Sequence, residues 1–196
     1  KYHLVPLINS VIQNKMSIVR TFNGHSDTVN SVSVESKYLA TGSSDKNVKI
    51  WDLMSGKLLY TLIGHKDWVM SVCLGKKYLA TGSFDGTTKL WDLTSGKLLH
   101  TFNGHSDCVS SVSMGSKYLA IGSYDRTTKL WNLESGKLLH TLTGHTDNVW
   151  SVSLGPNKKY IATGSGDETA KLWDLESGKL IYTFTGHKGT LTSVSL

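Results

Sequence analysis

Along most of the chain short apolar runs alternate with turn residues at a regular beat, and no stretch carries the apolar period of an amphipathic helix. Residues 68 to 102 are representative: their pattern predicts strands over 68–74, 77–83, 87–93 and 97–102, separated by the turn pairs Gly75-Lys76, Asp85-Gly86 and Ser95-Gly96. Four strands joined by three tight turns make an antiparallel meander, its strands lettered A to D in chain order. Val and Ser alternate along strand A, as in Ser31-Val32-Ser33-Val34, and strand B centres on small residues, as in Ala80-Thr81-Gly82-Ser83. Small residues on a sheet face leave room for large residues of a neighbouring sheet, so the meanders are expected to stack face to face.

The meander recurs. Gly-His pairs stand at Gly24-His25, Gly64-His65, Gly104-His105, Gly144-His145 and Gly186-His187, in steps of 40, 40, 40 and 42 residues. A fixed period of this size marks a repeat architecture. The Gly-His, a lone Asp in the B–C turn and a closing Trp-Asp in register resemble the WD40-repeat family of β-propellers over about residues 17 to 196. The resemblance implies an all-β chain, a β-propeller of four-stranded antiparallel blades with four complete blades plus two partial ones. Residues 28–184 hold the complete blades, 17–22 match a lone strand D and 190–196 a lone strand A, so the ring is expected to be open or incomplete. Gly155-Pro156-Asn157-Lys158 lengthens the fourth A–B turn and accounts for the longer last step. Residues 1–16 lie outside the repeat, as a tail or a short helix after Pro6. The start at Lys1 and the stop in mid-repeat suggest a piece of something longer.

Composition adds exclusions. With 39% hydrophobic and 18% charged residues the chain has the balance of a globular protein. No apolar run approaches the roughly 20 residues that span a bilayer, and no signal-peptide core opens the chain, so an intracellular location, cytoplasmic or nuclear, with no membrane contact is expected. Cys73 and Cys108 fall at different phases of the repeat and form no CxxC pair, which argues against disulfides and zinc. The eight His show no ligand spacing, and neither metal nor cofactor is expected.

The repeated polar residues bear on catalysis. In the meander the D–A loop and the B–C turn share one end, where a Trp N–H, a hydroxyl, an imidazole and a carboxylate can satisfy one another. The family resemblance implies this network for His25, Thr41, Asp45 and Trp51; for His65, Thr81, Asp85 and Trp91; and for His145, Thr163, Asp167 and Trp173. The third unit has His105, Asp125 and Trp131, but Ile121 stands where the hydroxyl belongs, and Asn132 replaces the Asp after Trp. A hydrolytic triad of hydroxyl, His and Asp is the alternative. A triad needs one activated nucleophile beside an oxyanion site, whereas this set recurs in each unit with its hydroxyl committed to Trp. The chain is therefore read as no enzyme.

Function is expected where the units differ. Three residues after each Gly-His histidine stand Thr28, Trp68, Cys108 and Asn148; two further on come Asn30, Met70, Ser110 and Trp150; before the turn Asp stand Ser44, Phe84, Tyr124 and Gly166. These positions share one rim, which the resemblance implies is a ligand-binding face, and Trp68, Met70, Phe84, Tyr124 and Trp150 have the chemistry of a protein or peptide hot spot. Packing among themselves between blades is the competing reading. The opposite rim gathers Lys37, Lys76, Lys77, Lys117, Lys158 and Lys159 with Lys57, Lys97, Lys137 and Lys179, and the net charge is +6. Acidic partners or nucleic acid could meet that rim, but Lys without Arg or interleaved exposed aromatics gives no base readout, so nucleic acid is disfavoured. The expected role is a scaffold or recognition module. The alternative is a structural module that self-associates through open blade edges.

Overall fold

The computed structural model describes residues 20–155 and 159–196. Its strands fall into four blades. The first is β1 (Val29–Glu35), β2 (Tyr38–Ser43), β3 (Val48–Asp52) and β4 (Leu58–Leu62); the second β5 (Val69–Leu74), β6 (Tyr78–Ser83), β7 (Thr88–Asp92) and β8 (Leu98–Phe102). The third is β9 (Val109–Met114), β10 (Tyr118–Ser123), β11 (Thr128–Asn132) and β12 (Leu138–Leu142); the fourth β13 (Val149–Leu154), β14 (Tyr160–Ser165), β15 (Ala170–Asp174) and β16 (Leu180–Phe184). Each blade is a four-stranded antiparallel meander in sequence order. The strands begin up to one residue later than the apolar pattern predicts, because Trp68, Lys77, Thr87 and Lys97 belong to the turns.

The blades stack through their A strands, β1 on β5, β5 on β9 and β9 on β13. The core lies between blades and not within them. One apolar cluster joins Ala40, Val48, Ile50 and Leu62 of the first blade to Val69, Val72, Leu74 and Leu79 of the second, and two equivalent clusters fill the following junctions. Strand B glycines make this possible: a Cβ on Gly82 would stand 2.4 Å from Val109 Cγ1, and one on Gly122 2.7 Å from Val152 Cγ1. Serines then stitch the layers. Ser31 Oγ accepts the N–H of Val72, Ser71 that of Val112, Ser111 that of Val152 and Ser151 that of Val194, each at 3.1 Å.

The stack is open. Val32 and Val34 of β1 are 62% and 55% exposed, whereas Val72, at the place of Val32 one blade on, is 6% exposed. The partial blades depart from the expectation of strands. Residues 190–196 are not a strand, because no strand B lies beside them to complete a ladder, yet they occupy the place of a fifth strand A: Leu191 is buried and Val194 and Leu196 donate to Ser151 and Ser153. Of 17–22, only residues 20–22 are described, and they form no strand. They still follow the course of a strand D, with Phe22 edge-on to Trp51 at 5.7 Å as Phe102 is to Trp131 at 5.2 Å, and with Arg20 donating to the Met54 carbonyl. The tail or helix expected over 1–16, and the extra residues of the fourth A–B turn at 156–158, lie outside the described residues.

Candidate functional site

At the end of the blades that carries the D–A loops, the Gly-His histidines of the first, second and fourth blades stand between a hydroxyl and a carboxylate. In the second blade His65 Nδ1 lies 3.0 Å from Asp85 Oδ2 and Nε2 lies 2.8 Å from Thr81 Oγ1, which accepts the Trp91 indole N–H at 2.9 Å. The first and fourth blades repeat this through His25, Thr41, Asp45 and Trp51, and through His145, Thr163, Asp167 and Trp173. Trp can only donate, so the Thr hydroxyl oxygen accepts the indole N–H while it faces His Nε2, and His Nδ1 faces the carboxylate. Burial holds His105 and His145 below the ordinary imidazole value, against the opposing pull of Asp125 and Asp167. Burial pushes the Asp167 carboxyl up, but hydrogen bonds from Thr169 and His145 outweigh it and leave the group at about 2.

Each turn Asp also ties loop to turn. Asp85 Oδ2 accepts the N–H of Lys66 at 2.8 Å and Oδ1 that of Thr87 at 2.9 Å. The Thr hydroxyl is thus held between Trp and His. In the third blade His105 still meets Asp125 at 2.7 Å, but Ile121 fills the hydroxyl's place, and the buried His105 Nε2 and Trp131 Nε1 have no partner. Among the described residues no three His, Cys, Asp or Glu are placed to hold a metal ion.

The variable positions form a second layer over this network. The second residue of strand A is a β-bulge in every blade: the ladder skips Asn30, Met70, Ser110 and Trp150. A bulge re-aims its side chain, and here it aims across the junction to the next blade. Asn30 donates to the Val69 carbonyl at 3.1 Å, and Ser110 to the Val149 carbonyl. These two side chains are thus occupied in holding blades together. Ser44 is buried and accepts from Asn30 at 3.0 Å. Cys108, expected on the exposed rim, is instead 1% exposed: its short side chain stays below the rim, whereas Trp68, with the same backbone bond from Phe84, reaches solvent.

The aromatic positions are brought together. Trp68 and Phe84 rings lie 5.9 Å apart, Phe84 and Tyr124 6.3 Å, and Tyr124 and Trp150 4.8 Å, a row that crosses three blades. Trp68 is 48% and Phe84 42% exposed, while Tyr124, Trp150 and Met70 are half-buried. The rings pack on one another and still present their outer surface. Thr28 is exposed and Asn148 half-buried at the two ends of the rim.

The four Gly-His to Trp-Asp units now have both their letters and their geometry. A model of the WD domain, G-beta repeat, matches residues 16–52, 56–92, 96–132 and 136–174, more than half of the chain. The chain belongs to the WD-repeat family. Among curated relatives, the ribosome biogenesis protein BOP1 homolog of Drosophila virilis is 51% identical over 43 residues, 21% of this chain and 6% of that protein. The pre-mRNA-splicing factor PRP46 of Yarrowia lipolytica is 53% identical over 47 residues, 23% of this chain and 11% of that protein. This chain thus aligns with only about a tenth or less of the length of these relatives.

The basic rim carries half-buried rings beside its lysines. Aromatics are interleaved with the lysines: Lys37, Lys77, Lys117 and Lys159 lie over the rings of Tyr38, Tyr78, Tyr118 and Tyr160 at 5.3, 6.0, 5.4 and 5.3 Å. Each ring is half-buried and covered by its own lysine, so it is not open to a base. Cavities of about 350 and 280 Å³ also lie at this end, between the A–B turns of the second, third and fourth blades.

Proposed function

We propose that this WD-repeat unit is a non-catalytic recognition scaffold whose D–A and B–C rim binds a protein or peptide. The carrying observation is the continuous row Trp68, Phe84, Tyr124 and Trp150, which keeps large apolar surface open on an otherwise polar rim. Exposed aromatic clusters on rigid frames are what interface hot spots use. The relatives are named for ribosome biogenesis and pre-mRNA splicing, processes carried out by large assemblies, which supports a scaffolding role. Of the two compartments expected, the nucleus is the one these processes favour. No cofactor enters this reading.

Selection of displayed peptides on the purified chain tests it. Selected peptides should lose binding to Trp68→Ala/Phe84→Ala and keep it to Lys76→Ala/Lys117→Ala on the other rim, with both variants melting as the parent does. Peptides that ignore the aromatic substitutions would reject the rim.

A second reading rests on the front face of β1, where Val29 and Val32 are exposed at places that are buried in the later blades and Val34 at a place that is buried in the second. Such a face fits the strand-B side of another blade, so the unit would pair blade to blade within a larger ring or assembly. A mass in solution that falls to that of a monomer on Val32→Lys/Val34→Lys supports this reading, and a monomeric parent opposes it.

A further inference from the structure

The middle of the rim combines two features. The rings of Trp68 and Phe84 meet edge to face at 61° and those of Phe84 and Tyr124 at 83°, so each junction is a corner between a ring edge and a π face. Aspartates flank the same rings along the chain and across the junction. Asp67 precedes Trp68, Asp85 follows Phe84, and the Asp107 carbonyl lies 3.4 Å from where a Cβ on Gly86 would stand, which brings the third-blade loop against the second-blade turn.

The aspartates of the loops are only half used. Asp67 Oδ1 accepts the Trp68 N–H at 2.8 Å and Asp107 Oδ1 the Cys108 N–H at 2.6 Å. Among the described residues no protein group holds their second oxygens, and every ion pair seen is a His with its turn Asp. The turn position that is Lys46 in the first blade and Arg126 in the third is Gly86 here, so the second-blade turn brings no cation to the Asp107 loop. Lys66 and Arg126 are the cations of these two loops and turns, against Asp67, Asp85, Asp107 and Asp125. Burial raises the Cys108 thiol to about 12 with help from Asp107, Asp67 and Asp85, so the three charges lie near Cys108.

A π corner edged by carboxylates attracts a cation through the ring quadrupole and the ion pair together, and a planar guanidinium exploits both by stacking on a ring while its N–H groups reach the oxygens. Resting on the rim reading above, we infer that the Trp68–Phe84–Tyr124 stretch seats an arginine side chain of the bound peptide, with Asp67 and Asp107 as its counter-charges.

The test titrates the 196-residue chain with an acetylated, amidated Ala-Arg-Ala-Arg-Ala peptide and with the same peptide carrying neutral citrulline in place of Arg, followed through the indole N–H resonances of Trp68 and Trp150. The arginine peptide should bind at least about fivefold more tightly. Asp67→Asn/Asp107→Asn keeps the Oδ1 acceptors for the backbone and should erase that margin, while Phe84→Ala should weaken both peptides. Equal binding of the two peptides, or a margin untouched by the Asn pair, overturns the arginine seat. If displayed peptides still map to the rim in that case, the rim reading stands alone; if neither peptide responds to Phe84→Ala and selected peptides map elsewhere, both fail.

Discussion

Ile121→Thr is a repair experiment that the chain itself suggests. Ile121 pairs with Val112 and Lys129 in its ladder as Thr81 pairs with Val72 and Lys89, so a Thr at 121 places its hydroxyl where Thr81 stands in the second blade. Two buried groups then gain partners: Trp131 Nε1–H would donate to the hydroxyl, and the hydroxyl to His105 Nε2. A buried polar atom left without a partner costs about 1–3 kcal/mol, so satisfying two recovers about 2–6 kcal/mol. Against this, Ile121 is fully buried, and trimming its apolar side chain costs about 1–2.5 kcal/mol. At the middle of these ranges the polar gain wins by about 2 kcal/mol. For a domain of this size that raises the melting temperature by about 4–8 °C. Calorimetry on Ile121→Thr and Ile121→Val separates the terms, since Val loses volume without supplying a hydroxyl. A Thr variant that melts at or below the Val variant would refute the reasoning, and Thr81→Ile should show the reverse change.

Three further outcomes rest on the same geometry. Gly82→Ala forces a methyl to 2.4 Å from Val109 and should destabilise by about 1–3 kcal/mol in a denaturant titration; an unchanged midpoint would show that the junction yields freely. Ser111→Ala with Ser113→Ala removes the acceptors of Val152 and Leu154 N–H, both at 3.1 Å, and should cost about 1–3 kcal/mol, with amide exchange quickened at Val152 and Leu154. His105 and His145 have lowered folded pKa values, so their contribution is complete above the unfolded value of about 6.5 and is lost as pH falls. Asp45, Asp85, Asp125 and Asp167 are also lowered and contribute above about 4, so the melting temperature should slip between pH 7 and 5 and drop steeply below 4; a rise on acidification would contradict both.

Locality decided what the letters could reveal. Strands, turns and the His–Thr–Asp–Trp set all lie within one unit, so a repeat of 40 residues displays the strands and turns four times and the complete set three times. The departure at Asn132 has the same weight in the sequence as that at Ile121, yet it is silent: Asn132 Oδ1 accepts from Glu134 N, Ser135 N and Ser135 Oγ, much as Asp92 Oδ1 serves Thr94 and Ser95. An amide keeps the oxygen that the turn uses, whereas Ile keeps nothing that the network uses. Features that cross blades were hidden, because they depend on how two units stack. The bulge at Asn30, Met70, Ser110 and Trp150 has no letter of its own, and it decides that Asn30 and Ser110 brace the stack while Trp150 joins the ring row. The serine bonds did leave a signal, a Ser at every second residue of strand A, but one that reads first as ordinary strand alternation.

The junction between blades, and not the blade, is the unit that carries stability here. Every apolar cluster draws on two blades, and the exposed valines of β1 show what one face becomes without its neighbour. The second and third blades meet in a layer that includes Val109, Val112 and Ile121, and a Cβ on Gly82 would press on the first two of these. Ile121→Thr and Gly82→Ala therefore act on one packed layer through Val112. Substitutions that share a partner do not add, and trimming Ile121 gives Val112 room to move away from the new methyl. The double variant should accordingly lose less than the separate effects imply, by about 0.5–1 kcal/mol, whereas Ile121→Thr combined with a Ser31→Ala change at the first junction should be additive. Strict additivity in the first pair would place the two substitutions in separate layers and undo the account of the junction.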